Sequence, residues 1–202
     1  MPRENDSSVD ARVVRFRPLI LASRSPQRHA ILEQLGIAFE VEHVDVEELA
    51  AGDPIEVACE NALRKARAGA EKRPGETILG VDTVVALDGE IFGKPSDTEA
   101  AITTLKRLSG RTHEVISGLA LAKSANTQVV HEVTKVTFRD LDDALVRRYV
   151  RTGEWSGRAG GYAIQGIGAG LVRRIMGDYL NVVGLPVGNL LDLDLTLILR
   201  EN

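Results

Sequence analysis

Side chains that suit a phosphate group are concentrated near the start of the chain, between an apolar run and a helix-like pattern. They are Ser23, Arg24, Ser25 and Arg28. Ser25 is predicted to be an N-cap and Pro26 the first helical residue. A helix N-terminus offers free backbone N–H groups, and hydroxyl and guanidinium groups add donors that match phosphate geometry. The alternative is an ordinary helix start with a capping serine and solvated arginines, and spacing alone leaves both interpretations open.

Asp82 is the second residue that indicates chemistry. It stands within Thr77–Leu87, an apolar run that is typical of a central strand buried on both faces. An unpaired carboxylate in such a strand is costly in free energy. A metal ion, a cation or a catalytic task can compensate that cost, and we favour this interpretation because perturbed carboxylates gather at functional sites. The alternative is a structural acid that is bonded to backbone N–H groups or to a lysine.

Further charged residues stand where they could complete a phosphate site. Glu47 and Glu48 follow the second predicted strand. With Asp82 they would supply oxygen ligands of the kind that Mg²⁺ or Mn²⁺ takes when it bridges phosphates. Lys65 lies on a predicted helix and Lys94 lies after a predicted hairpin, where each could reach a phosphate. All four also have an ordinary interpretation as solvated surface charges, which residue type alone favours.

Composition argues against several other classes of protein. A net charge of −4 and an aromatic content of 4% argue against nucleic-acid binding. The single cysteine, Cys59, predicts a reduced, cytoplasmic protein, and no apolar run has the length of a membrane span or the position of a signal peptide. Four histidines without ligand spacing argue against zinc, and His113 is interpreted as a strand-end histidine. P-loop and dinucleotide-binding motifs are missing from the sequence.

The order of the predicted elements indicates an α/β fold. Residues 1–15 are predicted to form a disordered tail, and residues 16–202 one folded domain. Strands and helices alternate first and strands dominate later, which favours two lobes with a cleft between them. The main predicted elements are a strand from Leu19, a helix from Pro54 to about Lys72, the strand Thr77–Leu87, a helix capped by Ser96, and strands over His113–Ala122 and Val129–Phe138.

Six motifs taken together resemble a known family, the Maf nucleotide pyrophosphatases. The resemblance covers about Pro18 to the C-terminus, in the order and spacing of that family. Each motif alone is weak, but six in series are highly specific. The motifs are LASRSPQR (Leu21–Arg28), GVDTVV (Gly80–Val85), GKP (Gly93–Pro95), LSGRTHEV (Leu108–Val115), AGGYAIQG (Ala159–Gly166) and GDYLNVVGLP (Gly177–Pro186).

The resemblance implies a Maf and inosine-triphosphatase-like α/β fold, with a mixed central sheet and a nucleotide cleft between two lobes, usually in a homodimer. It implies hydrolysis of a nucleoside triphosphate to the monophosphate and pyrophosphate with a divalent cation, Mg²⁺ or Mn²⁺. Asp82 matches the catalytic acid that activates water and is a candidate metal ligand, and Glu47 matches the acidic residue that helps to hold the metal. The triphosphate-binding positions are matched by Ser23, Arg28, Lys65 and Lys94, and the positions tied to base choice by Gln27, Thr83 and Gln165.

Details of the motifs bear on the choice of substrate. The segment Ile164–Gly166 resembles the branch of the family that acts on dTTP and UTP. Gln27 stands where that branch usually has an arginine tied to substrate choice, so a broader range that includes modified nucleotides stays open. The family is also linked to septum formation and cell division, and the alternative is therefore a non-catalytic regulator that binds nucleotides. The presence of Asp82, Lys94 and Glu47 together favours an enzyme that removes unwanted nucleotides from the pool.

Overall fold

A computed structural model describes residues 17–124 and 126–199; the predicted N-terminal tail, residues 1–15, lies outside them. The strands are β1 (Leu19–Leu21), β2 (Phe39–Val41), β3 (Thr77–Leu87), β4 (Glu90–Phe92), β5 (Thr112–Lys123), β6 (Asn126–Phe138) and β7 (Val172–Met176). The α-helices are α1 (Pro26–Gln34), α2 (Pro54–Lys72), α3 (Thr98–Leu108), α4 (Asp143–Val150), α5 (Tyr179–Val183) and α6 (Val187–Leu193). Short 3₁₀ helices cover Ala159–Gly161, Gly166–Leu171 and Leu195–Ile198.

The strands join in one mixed sheet, which confirms the predicted α/β fold. Its order is β2-β1-β3-β5-β6-β7, and β4 pairs with β3 beside this path. β1 is parallel to both β2 and β3, whereas the other pairs are antiparallel. In the central pair, Asp82 of β3 lies opposite Gly118 of β5, and Thr83 lies opposite Ser117.

β3 passes through two separate hydrophobic cores on one face of the sheet. Leu79 and Val81 pack into a core that contains residues of β1 and α1. Val85 and Leu87 pack into a second core that is built mainly from α3, α4 and the strands beside them. Thr83 lies between these two sets on the same face, and the neighbouring Asp82 points to the opposite face of the sheet. The two cores correspond to the predicted lobes, and the cleft described below opens between them.

Helix α2 lies against the opposite face of β3 and β5, closer than side chains would allow. A Cβ atom added to Gly80 would lie 2.2 Å from the carbonyl oxygen of Ala62, and one added to Gly118 would lie 2.2 Å from that of Ala58. Only glycine permits the backbone of a helix to approach a strand so closely. Because side chains alternate along a strand, the side chain of Asp82 faces α2 in the same way as Gly80 does.

The starts of α2 and α3 test the predicted capping residues. Asp53 caps α2 by accepting hydrogen bonds from Ile55 N and Glu56 N. The prediction that Ser96 caps the next helix was wrong. Asp97 takes that role because its Oδ1 reaches Ala100 N at 2.8 Å, while the hydroxyl of Ser96 donates to Asp97 Oδ2. Over the described ranges, the helices include none with the length and apolar character needed to cross a membrane.

Candidate active site

A cleft of about 690 Å³ opens where β3 runs between the two cores. This volume is in the range of sites that bind small molecules. Its walls come from the β1–α1 turn, the segment after β2, α2, the middle of β3, the turn after β4 and the glycine-rich loop before β7. The predicted site residues that line it are Ser23, Gln27, Arg28, Lys65, Asp82, Thr83, Lys94 and Gln165.

Asp82 is held on both carboxylate oxygens. Its Oδ1 accepts a hydrogen bond from Lys65 Nζ at 2.7 Å, and its Oδ2 accepts one from Asn61 Nδ2 at 3.1 Å. Both partners belong to α2, four residues apart, so they lie on the same face of the helix. Asp82 is only 8% exposed. The alternative of an acid bonded to a lysine is therefore realised, but at the wall of a cleft rather than inside a closed core.

Lys65 joins a second carboxylate to this pair. Its Nζ lies 2.7 Å from Glu48 Oε1 as well as 2.7 Å from Asp82 Oδ1. Two carboxylates thus converge on one cation position at the wall of the cleft. The side chains of Lys65 and Asp82 are both mostly buried, so this pair interacts in an environment of reduced dielectric, whereas the side chain of Glu48 is 45% exposed and its charge is screened by solvent.

Of the two neighbouring glutamates, Glu48 lines the cleft. Glu47 is exposed and does not line it, and its backbone oxygen accepts a hydrogen bond from Arg64 Nη1 at 2.8 Å. Residues 45–49, called the acidic segment below, lie between β2 and α2. The position of this segment favours Glu48 as the partner of Asp82. A metal-binding role for Glu47 stays a prediction.

Arg28 lies in a network of hydrogen bonds beneath the cleft. Its Nε donates to Gly184 O at 2.8 Å, its Nη1 to Ser23 Oγ at 2.8 Å and its Nη2 to Thr83 Oγ1 at 3.1 Å. Burial lowers the pKa of its guanidinium from the ordinary value, and attraction to Asp82 opposes that effect. This arginine ties α1 to β3 and to the turn after α5, and it places a buried positive charge under the site.

Thr83 is part of the same network. Its hydroxyl also pairs with Ser117 Oγ at 2.9 Å, across the β3–β5 ladder. The predicted link of Thr83 to base choice is not tested by these contacts. They show that its hydroxyl is already engaged by Arg28 and Ser117, so any effect on a base would pass through this network.

The N-terminus of α1 faces the cleft with its first turn open. Ser25 occupies the N-cap position as predicted, but its side chain makes no capping bond and instead donates to Gln27 Oε1 at 3.2 Å. The first backbone N–H groups of a helix have no partner within the helix, so those of α1 stay available to an anion. Pro26 is at the first helical position, as predicted.

Three further cations line the cleft. Lys94 and Arg24 are exposed, and Arg158 is half-buried. Among the described residues none of the three takes part in an ion pair, in contrast to Lys65, which is held by two carboxylates. They are therefore the cations that are free to meet an incoming anion.

The glycine-rich loop closes the other side of the cleft. The backbone N–H of Gly160 donates to Gly93 O at 3.1 Å, which connects this loop to the turn that carries Lys94. Tyr162 on the loop lines the cleft, and its hydroxyl is hydrogen-bonded to Nε2 of the buried His113 at 2.8 Å. Gln165 follows on the same loop, exposed at the cleft wall. This wall offers an aromatic ring and an amide to a base.

The donor set at the cleft fits a divalent cation that shares its coordination with phosphates. Asp82 and Glu48 already converge on one cation, Lys65 Nζ. The described residues contain no group of three or more His, Cys, Asp or Glu side chains that could hold a metal alone. Mg²⁺ commonly uses one or two carboxylates together with water and substrate phosphates, which agrees with this arrangement.

Comparison with known proteins decides the family. A model for Maf-like proteins matches residues 18–194. The chain belongs to the Maf family. Two relatives of this Maf chain are named dTTP/UTP pyrophosphatase. The one from Symbiobacterium thermophilum is 48% identical over 174 residues, which cover 85% of this chain and 90% of the relative. The one from Pyrococcus furiosus is 46% identical over 173 residues, with coverages of 85% and 91%.

Among solved structures, the Staphylococcus aureus Ham1 protein is similar to 61% of this chain and 73% of its own, with 21% identity and a TM-score of 0.46.

One residue of the Maf cleft has no functional interpretation from the sequence. Asn61 bonds directly to Asp82, yet in sequence it is only a polar residue on an otherwise apolar helix stripe. The available signal was its position one turn before Lys65, on the face that also carries Ala58 and Ala62. A buried amide on such a face needs partners, and here one partner is the candidate catalytic carboxylate.

Proposed function

We propose that the chain is a nucleoside triphosphate pyrophosphatase that hydrolyses dTTP and UTP to the monophosphate and pyrophosphate. The observation that carries the proposal is the cluster of Asp82, Lys65 and Glu48 at the wall of a nucleotide-sized cleft. Relatives at 48% and 46% identity are named for this activity. Those names do not favour the alternative of a non-catalytic regulator of division.

The triphosphate would bind between the N-terminus of α1 and the glycine-rich loop. Lys94, Arg24 and Arg158 line this part of the cleft and have no ion pair in the described chain. The open first turn of α1 adds backbone N–H donors, and Ser23 adds a hydroxyl. Binding many negative charges this way also stabilises the charge that grows on phosphate oxygens as the anhydride bond breaks.

Asp82 would accept a proton from the attacking water. Hydrolysis between the α- and β-phosphates adds the hydroxyl of water to one phosphorus atom and releases the other phosphate group, so the water proton needs an acceptor. The bonds from Lys65 and Asn61 fix the orientation of the Asp82 carboxylate, which also lines the cleft. Once the Asp82 carboxylate has taken up the proton, the ammonium group of Lys65 can bind a negatively charged phosphate oxygen instead.

Asp82 and Glu48 would hold a divalent cation, Mg²⁺ or Mn²⁺. Such an ion supplies Lewis-acid polarisation of phosphate oxygens when bound. The protein's own contribution is the convergence of two carboxylates, each 2.7 Å from the ammonium group of Lys65. These carboxylate oxygens do not distinguish Mg²⁺ from Mn²⁺.

Base choice would be made at the glycine-rich loop. Gln165 offers an amide that can both donate and accept, as the edge of a pyrimidine requires, and Tyr162 offers an aromatic surface. Gln27 supplies a neutral amide rather than a charged guanidinium at the first turn of α1, so this position attracts phosphate less strongly than an arginine would. We therefore expect dTTP and UTP to be the main substrates and other or modified nucleotides to be accepted more readily than with arginine at this position.

We also propose that the enzyme is a homodimer and works in the cytoplasm, where nucleoside triphosphates are made and used. Apolar side chains are exposed close together in sequence around β7: Ile167 is 57%, Met176 53% and Tyr179 45% exposed. A self-complementary contact would cover them. Sedimentation at several protein concentrations tests this, and a monomer throughout would contradict it.

The activity is tested by pyrophosphate release with Mg²⁺ or Mn²⁺ from dTTP, UTP, CTP, pseudouridine triphosphate, 7-methyl-GTP and the common purine triphosphates. We expect the highest kcat/KM on dTTP and UTP. The variant Asp82→Asn should lower kcat by about 10²- to 10⁴-fold because it removes the proton acceptor and keeps the shape. Full activity of Asp82→Asn would contradict the mechanism, and no activity of the parent chain on any triphosphate would contradict the function.

A further inference from the structure

Asn61 lies beside the candidate catalytic carboxylate but has no part in the chemistry proposed above. It belongs to α2, and its side chain is 1% exposed. Its Oδ1 accepts a hydrogen bond from Leu49 N at 2.7 Å. Its Nδ2 donates to Leu49 O at 3.0 Å and to Asp82 Oδ2 at 3.1 Å. Both N–H groups of the amide and its oxygen are therefore used.

These bonds connect two parts of the site that are distant in sequence. Leu49 directly follows Glu48, in the irregular segment between β2 and α2 that carries the second carboxylate. The amide of Asn61 satisfies both backbone groups of Leu49, as a neighbouring strand would do. With its remaining N–H it reaches the carboxylate of β3. One side chain thus relates the position of the acidic segment to that of Asp82.

The cost of placing an amide here indicates that its bonds matter. The buried face of α2 is otherwise made mainly of small apolar residues such as Ala58, Ala62 and Ala66. A buried amide loses its hydration and must recover it through hydrogen bonds. For Asn61 each of those bonds goes to the backbone of the acidic segment or to the carboxylate of Asp82.

We propose that Asn61 is a positioning residue that fixes Asp82 and Glu48 relative to each other. The inference rests on the proposed function. The charged groups that face Asp82 are Lys65 from α2, Glu48 from the acidic segment and Arg28 from α1. The N–H of Asn61 adds a neutral donor that fixes the orientation of Oδ2 beside these charged groups.

The first test is Asn61→Leu, which keeps a similar volume and removes all three hydrogen bonds. We expect kcat for dTTP to fall by about 10- to 100-fold, as for other residues that orient groups at a metal site. The Mg²⁺ concentration for half-maximal activity should rise, and KM for dTTP should stay within about threefold because Lys94, Arg24 and Arg158 are untouched.

The second test is Asn61→Asp, which keeps the shape and the acceptor for Leu49 N. It places a carboxylate oxygen where an N–H now faces Asp82 Oδ2. Repulsion between the two carboxylates should turn the Asp82 carboxylate out of its position, so kcat should fall at least as far as in Asn61→Leu while KM for dTTP stays within about threefold. This variant preserves the test if the leucine variant does not fold. A kcat equal to that of the parent in Asn61→Asp would overturn the inference.

Two control variants separate positioning from stability. Arg64→Met removes the hydrogen bond from the same helix to Glu47 O but leaves Asp82 untouched, so its kcat and its Mg²⁺ requirement should match those of the parent. Asn181→Leu removes a second buried asparagine, whose Nδ2 bonds to Val115 O and Thr134 Oγ1, and should lower Tm without changing kcat or the Mg²⁺ requirement.

The inference is overturned if Asn61→Leu behaves like Asn181→Leu, with lower stability and the kcat and Mg²⁺ requirement of the parent. An inactive parent chain is a different result, because it would overturn the proposed function and this inference with it. An active parent whose Asn61 variants keep its kcat and its Mg²⁺ requirement would overturn the inference alone.

Discussion

His113 lies wholly inside the protein, and its imidazole packs edge-on against two aromatic rings. The ring centroids of Phe138 and Tyr162 are 4.8 Å and 5.4 Å away. Its Nε2 is hydrogen-bonded to the hydroxyl of Tyr162, while its Nδ1 has no hydrogen-bond partner within the described residues. Burial lowers the pKa of His113 from 6.5 to about 4, because the charged ring would lose its hydration. The interpretation of His113 as a strand-end residue is confirmed, since it is the second residue of β5, but its hydrogen bond to Tyr162 of the glycine-rich loop was not predicted.

We predict that this histidine makes the protein less stable in mild acid. The folded state keeps His113 neutral down to about pH 4, whereas the unfolded chain takes up the proton below about pH 6.5. Stability is therefore full above pH 6.5 and falls as the pH decreases towards 4. At pH 5 the free energy of unfolding should be about 2 kcal/mol lower than at pH 7.5 from this group alone. Urea unfolding at the two pH values measures the difference.

The control for this prediction compares two histidine variants. His113→Phe should lose most of that pH dependence, even if it is less stable at both values because Tyr162 loses its partner. His131→Gln removes an exposed histidine and should leave the dependence as in the parent. Equal pH dependence in all three proteins would contradict the prediction.

The two neighbouring glutamates offer a matched pair of variants for the metal. Glu48→Gln removes a carboxylate that lies 2.7 Å from Lys65 Nζ, whereas Glu47→Gln removes one that does not line the cleft. We predict that Glu48→Gln raises the Mg²⁺ concentration for half-maximal activity by about tenfold or more, and that Glu47→Gln changes it by less than about twofold. Titration of pyrophosphate release with Mg²⁺ measures both. The reverse order would return the metal-binding role to Glu47.

At the scale of elements, α2 positions most of the site. Its N-cap Asp53, its length and its apolar stripe are all readable from the sequence, and the observed range Pro54–Lys72 agrees with the prediction. The distance between α2 and the sheet could not be predicted from the sequence. Gly80 and Gly118 set that distance, and it brings Lys65 within hydrogen-bond reach of Asp82.

We predict that Gly80→Ala damages both stability and activity. The added Cβ would lie 2.2 Å from Ala62 O and 2.6 Å from Ala66 N, which are backbone atoms of α2 that cannot rotate away. The helix must move outward and carry Lys65 away from Asp82. The free energy of unfolding should decrease by about 1–3 kcal/mol, as for other overpacked cores, and kcat should fall more than tenfold. Gly188→Ala is the control: its Cβ meets no atom within 4 Å, so neither stability nor kcat should decrease. A fully active Gly80→Ala would contradict the close packing.

Features that depend on local sequence patterns could be predicted, whereas features that depend on the geometry of the folded backbone could not. Long periodic elements such as β3 and α2 were predicted with their observed bounds, because their patterns are local. The cap of α3 was wrong by one residue, since Ser96 and Asp97 both suit that position and only backbone geometry chooses. The short helix α5 was not predicted, because five residues carry almost no period.

Contacts between distant segments mark the limit of prediction at the site. Asp82, Lys65 and Lys94 could be nominated because their residue types are chemically informative at motif positions. The bonds of Asn61 to Leu49, and the choice of Glu48 at the cleft wall, depend on how the segment after β2 turns back over α2. No periodicity in the sequence encodes that turn.

At the scale of the whole molecule, the cleft is a junction between two cores that share β3 and β5. Residues 23–28, 44–46, 48–50 and 182–184 contribute from one side, and residues 91–94, 157–159 and 162–165 from the other. The sheet joins the two sides, so a ligand that contacts both sides would act as an additional cross-link. Binding to the folded state alone must then stabilise the whole molecule.

We therefore predict that a dTTP analogue with a non-hydrolysable bridge between the α- and β-phosphates, added with Mg²⁺, raises Tm. At about 100 times its Kd it should add about 2.7 kcal/mol to the free energy of unfolding, which corresponds to roughly 5–10 °C for a chain of this size. Because the cations of the cleft hold the phosphates, thymidine alone should give almost no shift, and Lys94→Ala should need more analogue for the same shift. Differential scanning calorimetry measures all three. A shift with thymidine as large as that with the triphosphate analogue would mean that the base, rather than the triphosphate, supplies the binding energy that joins the two sides of the cleft.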